Sequence, residues 1–390
     1  MIDYNKLISP GIQALAPSGI RKFFDIAAEM KDAISLGVGE PDFVTPWAVR
    51  EAGIYSLEKG HTHYSANSGL LELRNEICTY LARKYNLHYN PKTETLVTVG
   101  GSEAIDLLIR AIVSQGDEVL IPEPCFVCYK PCTLMAGGTP VTIQTEEKDN
   151  FKLTPEKLLE KITPKSKLLI LPFPNNPTGA VMTREDLEKI AKIVEEHDLF
   201  VLSDEIYGEL TYTGDPHVPF ASIPGMQERT VTVNGFSKAF AMTGWRLGYA
   251  CGPEPVIKQM TKIHQYAIMC APTTSQFAAI EALKSCDEEV EYMCTEYDHR
   301  RRVMVNGFRE MGLSCFEPLG AFYVFPNISS TGLTSEEFVT KLLYEKKVAV
   351  VPGTAFGECG EGFIRCSYAY SIKNIEKALE RIAEFVEGMR

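Results

Sequence analysis

The stretch TLVTVGGSEAIDLLIRAIV, residues 95–113, changes its hydrophobic period once, and this change decides the fold. Its first residues, Thr95–Val99, are β-branched or apolar and predict a strand, whereas the apolar residues of Ser102–Val113 recur at helical spacing. Further strands are predicted up to about residue 252, at Glu118–Ile121, Val141–Gln144, Lys167–Leu171, Leu199–Ser203, Thr230–Val233 and Arg246–Cys251. A helix from about Arg184 to His197, capped by Thr183, separates two of them. Because strands that alternate with helices are joined by right-handed crossovers, we predict an α/β fold with a mostly parallel, seven-stranded sheet covered by helices.

The chain changes character after about residue 285. A long amphipathic helix over Glu288–Met311 precedes shorter elements, which are predicted at Ala321–Phe325, Ser335–Lys346, Val348–Val351, Phe363–Ser367 and in a closing helix from Lys373. Residues 1–45 contain little strand or helix pattern and are expected to pack onto this second unit. We predict a large domain of residues 46–285 and a smaller α+β domain formed by residues 1–45 and 286–390.

The composition narrows the class of protein. The 390 residues are 45% apolar and 23% charged, which is ordinary globular composition and excludes a disordered or fibrous chain. The formal net charge is −12 and no basic run offsets it, so nucleic acid is not expected as a partner. We find neither a secretory signal nor an apolar run long enough for a transmembrane helix. We therefore expect a cytoplasmic protein with no membrane partner.

The eleven cysteines are too sparse for a disulfide scaffold and are predicted to be free thiols in a reducing compartment. Cys125 and Cys128 have the CxxC spacing of a redox or zinc half-site, but no second ligand pair completes it. His61 and His63 likewise lack further ligands. Packed thiols and a surface histidine pair explain these residues, and no metal is predicted.

Ligands of open α/β sheets bind at the carboxyl ends of the strands, so the residues that follow each strand are candidates for a site. Gly100, Gly101 and Ser102 open a helix whose free N–H groups and positive dipole end favour an anion such as phosphate. A plain tight turn also explains these glycines. The loop after the 167–171 strand holds Asn175 and Asn176 among three prolines, which is more constraint than a turn requires.

Two later strands end in residues that suit chemistry. Asp204 lies where a buried carboxylate is costly without a cationic partner. It either caps a helix or holds a ring nitrogen protonated, with Tyr207 in reach of the same ligand. Lys238 follows an apolar strand among small and apolar neighbours, unlike most surface lysines, and this setting lowers its pKa and frees the amine for a Schiff base. Arg246, eight residues later, offers bidentate phosphate binding.

These parts form one constellation. A Schiff-base lysine, an acid for the pyridine nitrogen and an anion site are the parts that pyridoxal 5′-phosphate requires. No single part decides the question. In combination they predict pyridoxal phosphate as the cofactor.

The sequence resembles the class I and II aminotransferases, which are fold type I pyridoxal-phosphate enzymes. It is most similar to the bacterial subgroup that holds aromatic and aspartate aminotransferases. The resemblance runs nearly end to end, through SGIR at 18–21, GVGEPDF at 37–43, YSANSG at 64–69, NNPTG at 175–179, SDEIY at 203–207, SK at 237–238, MTGWR at 242–246, GAFY at 320–323 and FIR at 363–365.

The resemblance implies how the cofactor would be held. Lys238 would be the Schiff-base lysine and the proton carrier between the substrate α-carbon and the cofactor. Asp204 would pair with the pyridinium nitrogen, and Tyr207 and Asn176 would bond the ring oxygen. Phe126 would stack on the ring. The residues implied to bind the phosphate are Gly101, Ser102, Ser237 and Arg246.

The resemblance also implies the substrate site and the assembly. Arg365 would bind the substrate α-carboxylate, helped by Asn176 and the backbone at Gly39. In the family, the residue that matches Tyr64 reaches the phosphate of the neighbouring subunit. A homodimer with active sites shared across the interface is therefore implied.

Three departures from the family pattern bear on the substrate. Gly235 stands where many relatives carry a serine, which removes one phosphate donor. Ser102 stands where some aspartate-preferring members carry a lysine. No residue matches the second arginine that reads a side-chain carboxylate in the animal-type aspartate enzymes. These departures favour an aromatic or broad-range amino donor.

The implied reaction is ping-pong transamination from an L-amino acid to a 2-oxo acid such as 2-oxoglutarate. Aspartate transamination is one alternative. A carbon–sulfur β-lyase on the same fold is another, and the intact NNPTG motif argues against it. A cofactor-binding regulator would carry an N-terminal helix-turn-helix domain, for which the roughly 45 residues before the large domain are too few.

Overall fold

The fold is built around one large sheet and two small ones, in a computed structural model that describes residues 2–15 and 30–389. Among these residues the strands are β1 (Ile34–Ser35), β2 (Thr95–Thr98), β3 (Glu118–Glu123), β4 (Thr139–Gln144), β5 (Ser166–Leu171), β6 (Phe200–Asp204), β7 (Thr230–Gly235), β8 (Gly248–Cys251), β9 (Tyr323–Val324), β10 (Val348–Ala349), β11 (Val351–Pro352) and β12 (Ile364–Ser367). The large sheet has the order β2-β8-β7-β6-β5-β3-β4, and β8 is antiparallel to both neighbours. The other pairs are parallel, which confirms the predicted seven-stranded sheet.

Helices cover both faces of this sheet. The described helices are α1 (Tyr4–Leu7), α2 (Pro10–Gln13), α3 (Trp47–Glu58), α4 (Leu71–Tyr85), α5 (Gly101–Ile112), α6 (Tyr129–Met135), α7 (Pro155–Leu159), α8 (Arg184–Glu196), α9 (Glu254–Ala267), α10 (Thr273–Ser285), α11 (Asp287–Glu310), α12 (Ser335–Lys346) and α13 (Ile372–Glu387). Apolar side chains of α5 and α9 pack on one face, and those of α8 pack on the other. Thr183 caps α8 as predicted, through a capping box with Asp186. None of these helices is both long enough and apolar enough to cross a membrane.

The sheet topology gathers the residues of interest at one edge. Strands β5, β6 and β7 are parallel neighbours, so the loops that follow Leu171, Asp204 and Gly235 leave the sheet side by side. Strand β2 is antiparallel to β8, which is antiparallel to β7, so β2 points the same way as β7. The turn at Gly100 therefore opens onto the same edge.

The two small sheets lie in the part of the chain after residue 285 and before residue 46. Strands β11, β12 and β9 form an antiparallel sheet, and β1 pairs with β10 in parallel. A cluster of buried side chains joins Leu36 to residues of α11, α12 and α13. The division into two domains stays a prediction. The SGIR motif at 18–21 lies outside the described residues.

Local backbone geometry shortens two predicted strands. The strand predicted from Arg246 begins at Gly248, because Arg246 itself has a φ of +53° and cannot join a pleated ladder. The strand predicted from Ala321 begins at Tyr323, since Ala321 has a φ of +58°. The segment predicted as one strand at 348–351 divides into β10 and β11, which pair in different sheets.

Candidate active site

A cavity of about 440 Å³ opens at the carboxyl ends of β2, β5, β6 and β7. Every residue that was predicted for the site lines it except Tyr64: Gly39, Gly101, Ser102, Phe126, Asn176, Asp204, Tyr207, Ser237, Lys238, Arg246 and Arg365. The side chains come from both ends of the chain and from its middle. The fold thus collects in one place residues that are up to several hundred positions apart.

Lys238 follows β7 and points into the cavity. Its Nζ donates to the Gly39 carbonyl oxygen at 2.6 Å and lies 5.9 Å from the centre of the Tyr207 ring. Burial, reinforced by the positive charge of Arg365, lowers the pKa of the Lys238 ammonium to about 8. A substantial fraction of this lysine is therefore a neutral amine near physiological pH, which a nucleophile requires.

Asp204 ends β6 and is fully buried beside the cavity. Burial raises the pKa of its carboxyl to about 6, although two hydrogen bonds oppose the shift. One comes from the Tyr129 hydroxyl at 2.7 Å and the other from the Ile206 backbone N–H at 3.3 Å. A ring cation bound in the cavity would complete the pairing that a buried carboxylate needs. Asp204 both lines the cavity and accepts a local backbone N–H, and its pairing with a ring nitrogen stays a prediction.

Tyr129 is a site residue that the sequence reasoning missed. It lines the cavity from the start of α6, and its hydroxyl fixes one oxygen of Asp204. The sequence feature that could have indicated Tyr129 is its position three residues after Phe126, which was predicted for the site. In the structure the two rings meet edge to face, with centroids 6.1 Å apart. Phe126 itself lies at the cavity wall, where it can cover one face of a planar ring.

Arg365 forms a buried anion site with Asn176. Its Nη1 donates to the Asn176 side-chain oxygen at 3.0 Å, and its Nη2 donates to the Gly37 carbonyl oxygen. Its Nε is buried and has no hydrogen-bond partner among the described residues. Because the Asn176 oxygen faces Arg365, the amide nitrogen of Asn176 is left to donate elsewhere. A buried guanidinium that has an orphaned donor, and that no carboxylate of the described residues pairs, is suited to an anionic ligand.

A second anion site lies at the N-terminus of α5. Gly101 and Ser102 begin this helix, and the Arg246 guanidinium lies against the turn that precedes it. A Cβ added at Gly100 would lie 2.8 Å from an Arg246 guanidinium nitrogen, and the residue has a φ of +80°, so a glycine is required there. Arg246 is fixed by a hydrogen bond from its Nη1 to the Thr243 carbonyl oxygen at 3.0 Å. Ser237 lies beside it in the cavity wall.

Pyridoxal phosphate fits this set of residues. The cavity offers one anion site for a phosphate, a lysine with a lowered pKa, and a buried carboxylate for a ring nitrogen. The orphaned Arg365 Nε leaves a second anion site for a substrate carboxylate. Asp204 and Arg365 are buried charged groups, and a ligand of this kind would compensate the cost of their burial.

Tyr64 lies outside the cavity, with 80% of its surface exposed. Cys125 is buried, Cys128 is half-buried, and neither is in a disulfide. Within the described ranges no group of three or more His, Cys, Asp or Glu side chains is arranged as a metal site.

Known proteins share this chain's sequence and fold. The family model for aminotransferases of class I and II matches residues 31–382. YugH of Bacillus subtilis, named a putative aminotransferase, is 54% identical over 379 residues, which are 97% of this chain and 98% of that protein. An aspartate aminotransferase of Pyrococcus abyssi is 48% identical over 379 residues, covering 96% and 97%. The crystal structure of an aromatic aminotransferase from Pyrococcus horikoshii has a TM-score of 0.90 at 46% identity, covering 95% and 99%.

The match covers the strands, the helices and the cavity described above rather than one motif. Identity near half over almost the whole length leaves no large segment without a counterpart in the relatives. The chain therefore belongs to the class I and II aminotransferases, and it is a pyridoxal-phosphate-dependent transaminase of fold type I.

Proposed function

We propose that this transaminase takes the amino group from an L-amino acid of aromatic or broad range and passes it to a 2-oxo acid such as 2-oxoglutarate by a ping-pong mechanism. One observation carries the proposal. Among the described residues the cavity is lined by three cations, Lys238, Arg246 and Arg365, and each already has a task. A carboxylate on the donor's side chain would have no unassigned cation to pair with in this lining. An uncharged side chain loses less hydration free energy when it enters the cavity.

The acceptor must satisfy the same cavity. Glu40 is exposed at its mouth and Thr243 is half-buried there, with the Thr243 hydroxyl donating to the Glu40 carboxylate. The distal carboxylate of 2-oxoglutarate lies one methylene further from the α-carbon than that of aspartate, so it can extend past Glu40 into water and keep its hydration, whereas the shorter aspartate carboxylate would stay inside the cavity. This placement is how 2-oxoglutarate would be accepted without a dedicated arginine.

Each of the chain's own residues has a defined part in the proposed mechanism. Bound pyridoxal phosphate supplies an electron sink for the charge that develops at the substrate α-carbon. The Lys238 amine removes the α-proton and returns it, with Nζ as the proton carrier. Asp204 keeps a proton on the ring nitrogen, because an adjacent cation favours the carboxylate over its protonated form. Arg365 and Asn176 fix the substrate carboxylate, which orients the α-carbon bond that breaks.

The phosphate end and the ring face complete the binding site. Gly101, Ser102, Ser237 and Arg246 would hold the phosphate, and Phe126 would stack on the ring. The α5 N-terminus and the Arg246 guanidinium support this assignment, since both favour an anion. Tyr207 and Asn176, which also line the cavity, would bond the ring oxygen.

The donor is tested by single half-reactions. The holoenzyme is mixed with one amino acid and no acceptor, and loss of the visible absorbance of the lysine-bound cofactor is followed. Phenylalanine and tyrosine should react at least as fast as aspartate and glutamate. If aspartate were the fastest donor by tenfold or more, aspartate transamination would replace this proposal. It is the second candidate because the Pyrococcus abyssi relative is named an aspartate aminotransferase.

A β-lyase would give different products. It releases pyruvate and ammonia from cystathionine without any acceptor. We expect no pyruvate from cystathionine under conditions where phenylalanine is converted with 2-oxoglutarate. Pyruvate formation at a comparable rate would replace the transaminase proposal.

The lowered pKa of Lys238 predicts how the rate of cofactor uptake depends on pH. The neutral amine is the nucleophile, and its fraction rises as the pH passes about 8. The rate constant for covalent cofactor binding by the apoenzyme should therefore rise with pH, with a midpoint near 8, and level off above it. Stopped-flow absorbance after mixing apoenzyme with cofactor measures this. A rate that stays flat across that midpoint contradicts the prediction.

We also propose a homodimer in which Tyr64 completes the phosphate site of the partner subunit. Tyr64 and Tyr266 are 80% and 85% exposed, and Trp47, Ile54 and Tyr55 add further exposed apolar surface. Large apolar groups left in water favour a covering partner. We propose in addition that the chain has a large domain of residues 46–285 and a small domain of residues 1–45 and 286–390. We also propose a cytoplasmic location.

The dimer predicts a specific loss at Tyr64. Sedimentation should give twice the mass of one chain, and Tyr64→Phe should weaken cofactor retention about tenfold, because a hydrogen bond to a charged phosphate is lost. Cofactor release is measured by dialysis against a competing aldehyde trap. Tyr266→Phe is the matched control, an equally exposed tyrosine that has no assigned ligand. Equal losses in both variants, or a monomer with full retention, would contradict the shared site.

A further inference from the structure

Tyr323 contacts two parts of the site at once, although it has no role in the proposed mechanism. It lies on β9, in the small antiparallel sheet, and its side chain reaches into the cavity. Its hydroxyl oxygen lies 2.8 Å from the hydroxyl oxygen of Tyr207, which is 116 residues away in sequence. The Arg365 guanidinium lies over its ring, 4.4 Å from the centroid. One side chain thus joins the residue at the ring oxygen to the residue at the substrate carboxylate.

The surroundings hold this side chain in one position. Tyr323 is fully buried, and its ring also meets the rings of Tyr207 and Phe322. A Cβ added at Gly39 would lie 2.1 Å from the Tyr323 hydroxyl, so the backbone at Gly39 can approach only because no side chain is there. The packing leaves Tyr323 little freedom to turn away from Tyr207.

The direction of the hydrogen bond follows from the ligand. A deprotonated ring oxygen can only accept hydrogen bonds, so the Tyr207 hydroxyl must donate its hydrogen to it. The Tyr207 oxygen then has lone pairs but no second hydrogen, and its contact at 2.8 Å with Tyr323 must be one in which Tyr323 donates. Burial raises the pKa of both phenols above their ordinary value, so both keep their protons at neutral pH.

We propose that Tyr323 is a positioning residue with two functions: its hydroxyl donates to Tyr207 and so strengthens the bond that Tyr207 gives the ring oxygen, and its ring holds Arg365 in place for the substrate carboxylate. This inference rests on the proposed function, since it needs Tyr207 at the ring oxygen and Arg365 at the carboxylate. A chain of hydrogen bonds polarises its members, so each makes the next a better donor. The contact with the Tyr323 ring restricts the Arg365 guanidinium, which no carboxylate within residues 2–15 and 30–389 pairs.

The two functions can be separated by two substitutions at this position. Tyr323→Phe removes the hydroxyl and keeps the ring, whereas Tyr323→Leu removes both. Tyr368→Phe is the control, because Tyr368 is an equally buried tyrosine whose hydroxyl donates to the Ala321 carbonyl oxygen at 3.1 Å and which does not line the cavity. The charged and titratable groups around the pair are unchanged in all three variants: Asp204, Lys238, Arg365, Glu40 and Arg246.

The first measurement is a pH titration of the visible absorbance of the holoenzyme without substrate. The ring oxygen is less stabilised when Tyr207 is a weaker donor, so the cofactor–lysine linkage holds its proton to higher pH. The midpoint should move upward by about 0.5–1 pH unit in Tyr323→Phe and in Tyr323→Leu, and should not move in Tyr368→Phe. An unchanged midpoint in Tyr323→Phe, or an equal shift in Tyr368→Phe, would overturn the inference.

The second measurement is the dissociation constant of an unreactive monocarboxylate, 3-phenylpropionate, from the holoenzyme. Tyr323→Phe should bind it within about twofold of the parent, and Tyr323→Leu should bind it about three- to tenfold more weakly. Equal affinity in Tyr323→Leu would remove the second function. Failure of the parent chain to develop a lysine-bound cofactor band at all would count against the proposed function, which is a different result from a band that titrates normally.

Discussion

Lys238→Ala is expected to abolish steady-state transamination, with a loss of about 10⁴-fold or more. Two functions would disappear together, because in the proposed mechanism the same Nζ anchors the cofactor covalently and carries the α-proton. No other amine is available among the described residues of the cavity lining. Turnover with phenylalanine and 2-oxoglutarate measures the loss, and the visible band that depends on the lysine linkage should be absent.

The control for this prediction separates chemistry from folding. Lys238 is half-buried, and among the described residues its hydrogen bond is to the Gly39 carbonyl oxygen, so an alanine leaves a cavity but no unpaired charge. The variant should unfold within a few degrees of the parent. Lys284→Ala, at an exposed lysine that bonds Glu72, should retain both the band and full turnover. Steady-state transamination by a purified Lys238→Ala variant would remove Lys238 from its assigned role.

The sequence predicted the central sheet because its signals are local. Strand and helix periods alternate from residue 95 onward, and each pattern depends on neighbouring side chains alone. Asp204 and Lys238 were singled out by the same means, since Asp204 directly follows a predicted strand and Lys238 lies five residues after the next one. Parallel strands bring their carboxyl ends to one edge, and so these residues meet whatever the loop conformations are.

The features that the sequence did not reveal are contacts between residues that lie far apart along the chain and close together in the fold. Tyr129 bonds Asp204 only because α6 turns its first residue toward the end of β6. Tyr323 meets Tyr207 because the segment that leads into β9 hydrogen-bonds to the loop that follows β6, and no spacing along the chain encodes that contact. The left-handed backbone at Arg246 was also missed, since a strand pattern continues through it. These are tertiary effects that override a correct local pattern.

Asp204→Asn is expected to lower kcat/KM by about 10²–10³-fold. Asparagine has nearly the same shape: its one side-chain oxygen can still accept from the Ile206 N–H and its amide nitrogen can donate to the Tyr129 hydroxyl oxygen, but it carries no charge. Without the carboxylate nothing in the described cavity lining favours a proton on the ring nitrogen, and a neutral ring withdraws fewer electrons from the α-carbon. Removing one preorganised electrostatic group at developing charge typically costs this much.

Tyr129→Phe tests whether the charge or the hydrogen bond matters. The variant keeps the Asp204 carboxylate and loses only a bond that lowers its pKa, so that pKa should rise further and kcat/KM should fall about tenfold or less.

Nitrogen-15 resonance of a labelled cofactor ring reports the proton directly. The ring nitrogen should be protonated in the parent and in Tyr129→Phe at neutral pH, and unprotonated in Asp204→Asn. A protonated ring with near-parent turnover in Asp204→Asn would mean that another group supplies the charge. Larger losses in Tyr129→Phe than in Asp204→Asn would mean that positioning, rather than charge, is what the end of β6 contributes.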